Sequence, residues 1–414
     1  GRVSLLALQY VGNCTYLLGK RIHMRYTFAG ESHGPCLTAI VEDVPAGLMI
    51  SESQINTDLA RRQSGYGRGG RQSIERDTVE VTSGVRFGKT IGSPVTLTVR
   101  NRDWQNWTDR MSVFGEAPDD LIREVTPRPG HADLVGALKT NTDDCRNILE
   151  RSSARSTAIR VAAAGIAREF LADLGVEVFS YVNRIGNAEF REENPFVDCV
   201  RYSPLDIETS EVRCPNAQAT RSMIAEIERA KAARDTIGGT FRVVATGLVP
   251  GLGGYATAND RLTARLGQAL FSIQAMKGVE FGMGFDVARH FGSEVHDPIV
   301  LDRERDCFTR TSNNAGGLEG GMTTGLPLVA TVAMKPIPTL MKPLATVNMD
   351  TLEVADASKE RSDVCAVPAA AVVAEGEVAF VLTNAYQEMF GGSCMADIKA
   401  NIKSYKARLR TMSR

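Results

Sequence analysis

Apolar residues recur along this chain with two different periods, and those periods outline the elements. Between Arg155 and Gly175, Ile159, Val161, Ala162, Ile166 and Phe170 form the stripe of a buried helix face. The polar run before it, Arg151-Ser152-Ser153-Ala154-Arg155, supplies Ser152 or Ser153 as N-cap. The same period predicts a helix opening at the capping box Ser51-x-x-Gln54, with Ile55 and Leu59 on its apolar side and Gly65 at its end. It predicts another over Asn216–Arg234 through Met223, Ile227 and Ala230. A further helix spans Asp260–Met276 through Leu262, Leu266, Leu270 and Ile273, with Gly278 as C-cap. Val367–Leu382 is rich in alanine and valine and reads as a buried helix. Period two and β-branching predict strands at Tyr26–Ala29, Thr38–Val44, Thr78–Val81, Pro94–Arg100, Val176–Ile185, Phe241–Leu248 and Leu328–Met334. Asp103–Asp120 reads as irregular, with Trp104 and Trp107 packing, and Asn187–Thr209 as loop. Lys399–Arg414 reads as a basic, solvated helical tail. The mixed order of strands and helices argues against a regular βαβ chain.

Composition narrows the classes. With 414 residues, 43% hydrophobic and 23% charged, the chain can build one large domain or two smaller ones. A net charge of −1 provides no general field for nucleic acid or acidic membrane. No apolar run reaches the length of a membrane span. Eight cysteines without a Cys-x-x-Cys pair or zinc spacing read as free, mostly buried thiols in a reducing, cytoplasmic setting, with no metal site. Residues 1–23, mildly apolar over Val3–Val11 and lacking a convincing cleavage site, read as a leader or expression remnant outside the fold.

Candidate chemistry gathers at a few places. In Arg128-Pro129-Gly130-His131, proline fixes one backbone angle and glycine frees the next, so Arg128 and His131 sit on a turn. The helix start near Ser153, flanked by arginines and hydroxyls, is a seat for an anion. In Glu31-Ser32-His33-Gly34, serine and histidine are neighbours on an extended chain and point apart, which disfavours a nucleophile–base pair. His33 reads instead as a lone proton donor or phosphate ligand. Arg62, Arg68 and Arg71 lie in a glycine-rich run whose mutual repulsion a bound polyanion would relieve. The glycine-dense stretch Asn313–Gly321 fits neither a Rossmann nor a Walker pattern. Lys335-Pro336-Ile337-Pro338-Thr339 is a stiff loop presenting a cation and a hydroxyl, and Arg361-Ser362-Asp363 precedes the alanine-rich helix.

Read together, RPGHAD, ERSSAR-x-T-x-x-RVAAAG, Gly30–Gly34, the loop Arg61–Arg71 and Arg361-Ser362-Asp363 resemble the signatures of the chorismate synthase family, in the same order and over roughly Met24–Met389. The resemblance implies an α+β fold, a β-α-β sandwich with a helical layer between antiparallel sheets. It implies one domain over residues 24–398, with 399–414 as tail, assembled as a homotetramer. The implied reaction is the 1,4-elimination of phosphate and the C6 hydrogen from 5-enolpyruvylshikimate 3-phosphate. It proceeds without net redox change but requires reduced FMN, which an external flavin reductase or other reduced-flavin source would supply. By resemblance His33 protonates the departing phosphate, His131 tunes the reduced flavin, and Asp363 helps relay the C6 proton. Substrate anions would meet Arg62, Arg68, Arg71, Arg128 and Arg155. Flavin contacts would come from Ser153, Ala154, Arg155, Gln274, Ala275, Gly320, Lys335, Pro336, Ile337, Pro338, Thr339 and Arg361. The chain departs from the family at Cys36, Ser64 and Thr140–Thr142. Two rival readings follow: a catalytically impaired paralogue, and an RNA-binding module using the Arg/Gly loop. The second conflicts with a pI of about 6.6.

Overall fold

The structure, a computed structural model, describes residues 23–69, 76–360 and 362–412. Of the candidate site residues, Arg71 and Arg361 lie outside the described residues, as does the expected leader except His23.

Alternation of side chains builds the first sheet. Strand β1 is Arg25–Ala29, β2 Cys36–Glu42, β3 Val79–Val81 and β4 Val95–Arg100, in the order β1–β2–β4–β3, all antiparallel. Leu37, Ala39 and Val41 of β2 and Val95, Leu97 and Val99 of β4 are buried. The register Ala39↔Leu97 sets those rows side by side on one face. The second sheet comprises β5 Glu177–Ile185, β6 Ala188–Glu189, β7 Gly239–Thr246, β8 Met276–Phe281 and β9 Leu328–Met334, in the order β8–β9–β7–β5–β6 and again antiparallel. Its central strands are apolar on both sides. One face joins the main core, and the other holds a small cluster of Phe179, Tyr181, Val244 and Val329 with Cys199 and Ile207.

The helices α1 Glu52–Gln63, α2 Thr157–Asp173 and α3 Val367–Phe390 form the layer between the sheets, with α2 against the first sheet and α3 against the second. Ile159, Ile166, Phe170 and Leu171 of α2 are fully buried, each contributing roughly 1.5–3 kcal/mol. Gly376 lets α2 and α3 approach closely, because a Cβ there would lie 2.6 Å from the Ala164 Cβ. The 24-residue α3 is long and apolar enough to cross a membrane, but 89% of its apolar window is buried inside the protein, as in a core helix. This is the α+β sandwich expected.

Several local expectations differ from the structure. The helix predicted over Asp260–Met276 runs only over Leu262–Phe271. The chain then turns through Ala275 in the left-handed region (φ 68°), and Gly278 sits within β8 rather than capping a helix. Buried Ile273 continued the apolar spacing without continuing the helix. Asn187–Thr209 is not plain loop: it contains β6 and the short helices Pro195–Asp198 and Pro204–Thr209, each with proline in its first turn. Ser152 ends the helix Arg146–Ser152, and Ser153 caps a short 3-10 turn, Ala154–Ser156, that leads into α2. Ser51 does cap α1, its hydroxyl accepting from the Gln54 N–H at 3.2 Å. The tail forms α4, Met395–Met412, and is not wholly solvated: Met395, Ile398 and Ile402 are buried, and the Tyr405 hydroxyl donates to the Pro250 carbonyl at 2.9 Å. The seven cysteines among the described residues are free, four of them buried.

Candidate active site

Three segments far apart in sequence bring imidazoles and guanidinium groups to one cavity, and each is held from behind by a carboxylate. The first is the turn after β1. Both oxygens of buried Glu150 grip His33: one accepts from the backbone N–H at 2.8 Å, the other lies 2.8 Å from ring Nδ1. The Trp107 indole stacks on the imidazole, with centroids 3.9 Å apart. Burial pushes the Glu150 carboxyl up, but the hydrogen bond and charge of His33 outweigh it and leave the group below the usual carboxylate range.

The second segment is the turn 126–133. Gly130 adopts φ +79°, which presents its carbonyl to Lys335 Nζ at 2.5 Å. Asp133 receives His131 Nδ1 at 2.5 Å and Arg128 Nε at 2.8 Å. Burial raises the Asp133 carboxyl, yet bonds from His131 and Arg128 hold it well below the ordinary range. Arg128 also donates to Thr339 at 2.8 Å and lies 3.2 Å from His131 Nδ1. It therefore commits its nitrogens within the protein and shapes the wall, instead of offering the open fork that its sequence context implied.

The third segment joins the arginine loop to the start of α2. Arg155 donates to both oxygens of Asp77 at 2.7 Å. Arg62 reaches the Thr157 hydroxyl at 2.8 Å, the Ala154 carbonyl at 3.1 Å and Asp77 at 3.5 Å. Asp363 accepts from Arg68 at 2.8 Å and from the Gly69 N–H at 2.7 Å. Burial, and after it the nearby Arg155 and Arg68, push the Arg62 guanidinium down to about 10 even though Asp77 opposes the shift. Such crowding of buried cations is what an anionic ligand would relieve.

The shared cavity has a volume of about 440 Å³. Its charged lining is mostly cationic, Arg62, Arg68, Arg128, Arg155 and Lys335 against Glu360 and Asp363. His33, His131, Ser153, Ala154, Gln274, Ala275, Ile337, Pro338 and Thr339 also face it. Pro336 does not, and Gly320 lies in the hairpin Leu318–Glu319/Met322–Thr323 off the cavity. The sequence reading missed Asp77, Asp133 and Glu150. Asp133 and Glu150 stand inside the quoted motifs, two residues after His131 and one before Arg151, but nothing in their spacing named their partners.

Comparison with known proteins decides the family. The chorismate synthase family model matches residues 24–387. A chorismate synthase of Geobacter sulfurreducens is 52% identical over 393 residues, covering 94% of this chain and 99% of that protein. One from Bacillus subtilis is 49% identical, covering 92% and 98%. A crystal structure of chorismate synthase superposes with a TM-score of 0.76 at 39% identity, over 94% of this chain and 99% of that one.

The chain belongs to the chorismate synthase family.

Chorismate synthases need a reduced flavin beside a phosphorylated, dicarboxylic substrate, and the cavity residues fit such groups. Among the described residues, Arg68 Nε and Gln274 Oε1 are buried with no hydrogen-bond partner, and both residues line the cavity. One is a donor suited to an anion and the other an acceptor suited to a ring N–H. The volume falls within the usual range for small-molecule sites, about 300–1,000 Å³. The described arginines of the 61–71 run point inward: Arg61 to Glu375, Arg62 and Arg68 to the cavity. Among the described residues of that run, no basic stripe is left for a nucleic acid.

Proposed function

We infer that this chain is a carbon–oxygen lyase that converts 5-enolpyruvylshikimate 3-phosphate to chorismate by 1,4-elimination, in the pathway to aromatic amino acids. One observation carries the reading: motifs from residues 30–34, 62–69, 126–131, 152–157, 335–339 and 362–363 line a single cationic cavity in a chain of this family. Arg62, Arg68 and Arg155, with Arg71, bind the phosphate and carboxylates, and Arg128 holds the wall around His131. His33, tied through Nδ1 to Glu150, gives its proton to the departing phosphate. Asp363, oriented by the Gly69 N–H and Arg68, helps take the C6 proton away. Ile273, Ile337, Met334 and Val373 supply the apolar wall that excludes water. Reduced FMN, when bound, supplies transient electron density that weakens the C–O bond. Ser153, Ala154, Gln274, Ala275 and the 335–339 loop hold it, with Arg361. His131, fixed by Asp133, keeps a proton next to it.

Gly320 and Pro336 enter this reading only if another subunit brings them to a cavity, which fits the homotetramer proposed for this chain. We further propose a cytoplasmic enzyme, one domain over residues 24–398, fed by an external flavin reductase. The test is anaerobic phosphate release from 5-enolpyruvylshikimate 3-phosphate with FMN and dithionite. Turnover supports the reading, and a folded protein that releases no phosphate points to the impaired paralogue.

A further inference from the structure

We propose that Glu150 is a positioning residue for this reaction: it fixes the His33 imidazole with a proton on Nδ1, so that proton exchange with a bound ligand is confined to Nε2. The proposal rests on the reading of His33 as the acid that protonates the leaving phosphate.

The geometry is that of a bracket rather than a single contact. Two oxygens of one carboxylate meet two nitrogens of one residue, backbone and ring, each at 2.8 Å. The Glu150 carbonyl also accepts from the Ser32 N–H at 2.9 Å, so the turn and the helix Arg146–Ser152 are tied at three points. Side chain and main chain of His33 are therefore locked relative to each other, and Trp107 packed on the ring face removes the remaining rotation about χ2.

Electrostatics then assign the proton. Arg146, one helical turn before Glu150, approaches the same oxygen at 3.4 Å and lies over the Trp107 ring at 5.5 Å. It also pairs with Glu124 at 3.1 Å and Glu360 at 3.0 Å, which fixes it in place. A buried carboxylate beside a guanidinium and an imidazole stays ionised, and an ionised carboxylate can only accept. The ring nitrogen facing it must be the donor. In the neutral imidazole the proton then resides on Nδ1, and Nε2 becomes the nitrogen that receives and returns the catalytic proton. A histidine without this bracket would populate both tautomers, and one of them would aim a lone pair at Glu150 and leave its proton on the wrong side.

The test uses the full chain labelled with ¹³C,¹⁵N-histidine. The sequence contains five histidines, and the His33 signals are those lost in His33→Asn. At a pH where imidazoles are neutral, His33 should show a protonated Nδ1 and a bare Nε2. In Glu150→Gln the amide can donate to Nδ1, so the Nε2–H form should appear. Turnover should fall roughly 10- to 100-fold while KM for the substrate changes by less than about threefold. Glu150→Asp should keep the wild-type tautomer and recover part of the turnover. A bare Nδ1 in the wild-type protein overturns the proposal, whether or not the glutamine variant folds. So does a turnover loss in Glu150→Gln with the tautomer unchanged, which would mark a merely structural carboxylate. If His33→Asn instead keeps normal turnover while the tautomer results hold, the bracket stands and the role of His33 as the acid falls.

Discussion

Two clusters of arginine and carboxylate meet the same helix, Val367–Phe390, and they are built to different ends. At Glu375, which is fully buried, Arg61 donates through two nitrogens at 2.9 and 2.8 Å, Arg168 at 2.6 Å and Arg213 at 3.1 Å, and the Ser180 hydroxyl donates at 2.6 Å. Asp58 and Glu208 complete the set at 2.7 Å from Arg61 and 2.5 Å from Arg213. Three guanidinium groups thus face three carboxylates in direct contact. Toward the start of the helix, the N-cap Ala366 and then Ala369, Ala370 and Val373 floor the cationic cavity, where Asp77 and Asp133 stand behind the arginines rather than among them. Residue types are nearly the same in both. The difference lies in where the counter-charges sit: in contact with the cations on several sides in one case, and in the other divided between the rear, at Asp77 and Asp133, and the cavity wall, at Glu360 and Asp363. The first arrangement joins its cations to carboxylates of its own, and the second opens on a cavity where a ligand can add negative charge.

The largest effect should come from breaking the closed cluster. Glu375→Ala leaves buried Arg213 and half-buried Arg61 and Arg168 around a hole without their shared partner and should destabilise the fold by about 3–5 kcal/mol, read from denaturant unfolding. A loss below about 1 kcal/mol would mean that water reaches the cluster and that the contrast drawn here is false. The same pair of regions can be separated by acid. Burial pushes Glu375 up, but Arg61, Arg168 and Arg213 prevail and bring it down to about 2 from an ordinary 4.5. A lowered folded-state value stabilises above the unfolded one, so this contribution should be intact above pH 4.5 and lost as pH falls toward about 2. In Glu375→Gln the acid limb of the stability curve should flatten across that window.

In the open cluster the expected cost falls on chemistry rather than on folding. His33→Ala and His131→Ala should each lower turnover by at least about tenfold, or roughly 1.4 kcal/mol of barrier, with unfolding midpoints little changed. Near-normal turnover in both would remove their assigned roles. The smallest effect is the most direct comparison. Inorganic phosphate at about ten times its Kd should raise the unfolding temperature by roughly 1–2 °C, through the crowded cations of the cavity. Arg62→Ala should abolish that rise, whereas a variant of the closed cluster such as Glu208→Gln should keep it.

Much of this could be read from the sequence. Strands such as Cys36–Glu42 showed themselves because one buried face forces strict alternation, and the arginines and histidines of the cavity stood in dense, unusual motifs. What stayed hidden follows physical lines. Pro195–Asp198 and Pro204–Thr209 are too short for a 3.6-residue period to repeat. Ile273 is buried like a helical residue, but Ala275 turns the chain, a tertiary effect that apolar spacing does not encode. The pairing of Glu150 with His33 spans 117 residues and that of Glu375 with Arg61 spans 314, so the sequence displays the charges without saying which ones meet.

The position of α3 along the chain has a consequence for how the protein comes into being. Both sheets precede it in order of synthesis, and the apolar faces of β5 and β7 pack against it. As the ribosome delivers the chain, Val182, Phe241 and Val243 must wait for a partner more than a hundred residues downstream, and the arginines destined for Glu375 wait with them. Such long-range closure makes folding slow and leaves unfinished chains adhesive. A polypeptide released before residue 367 would carry every strand of both sheets yet lack the helix that divides them, and it should behave as an aggregate or a chaperone client instead of a smaller enzyme.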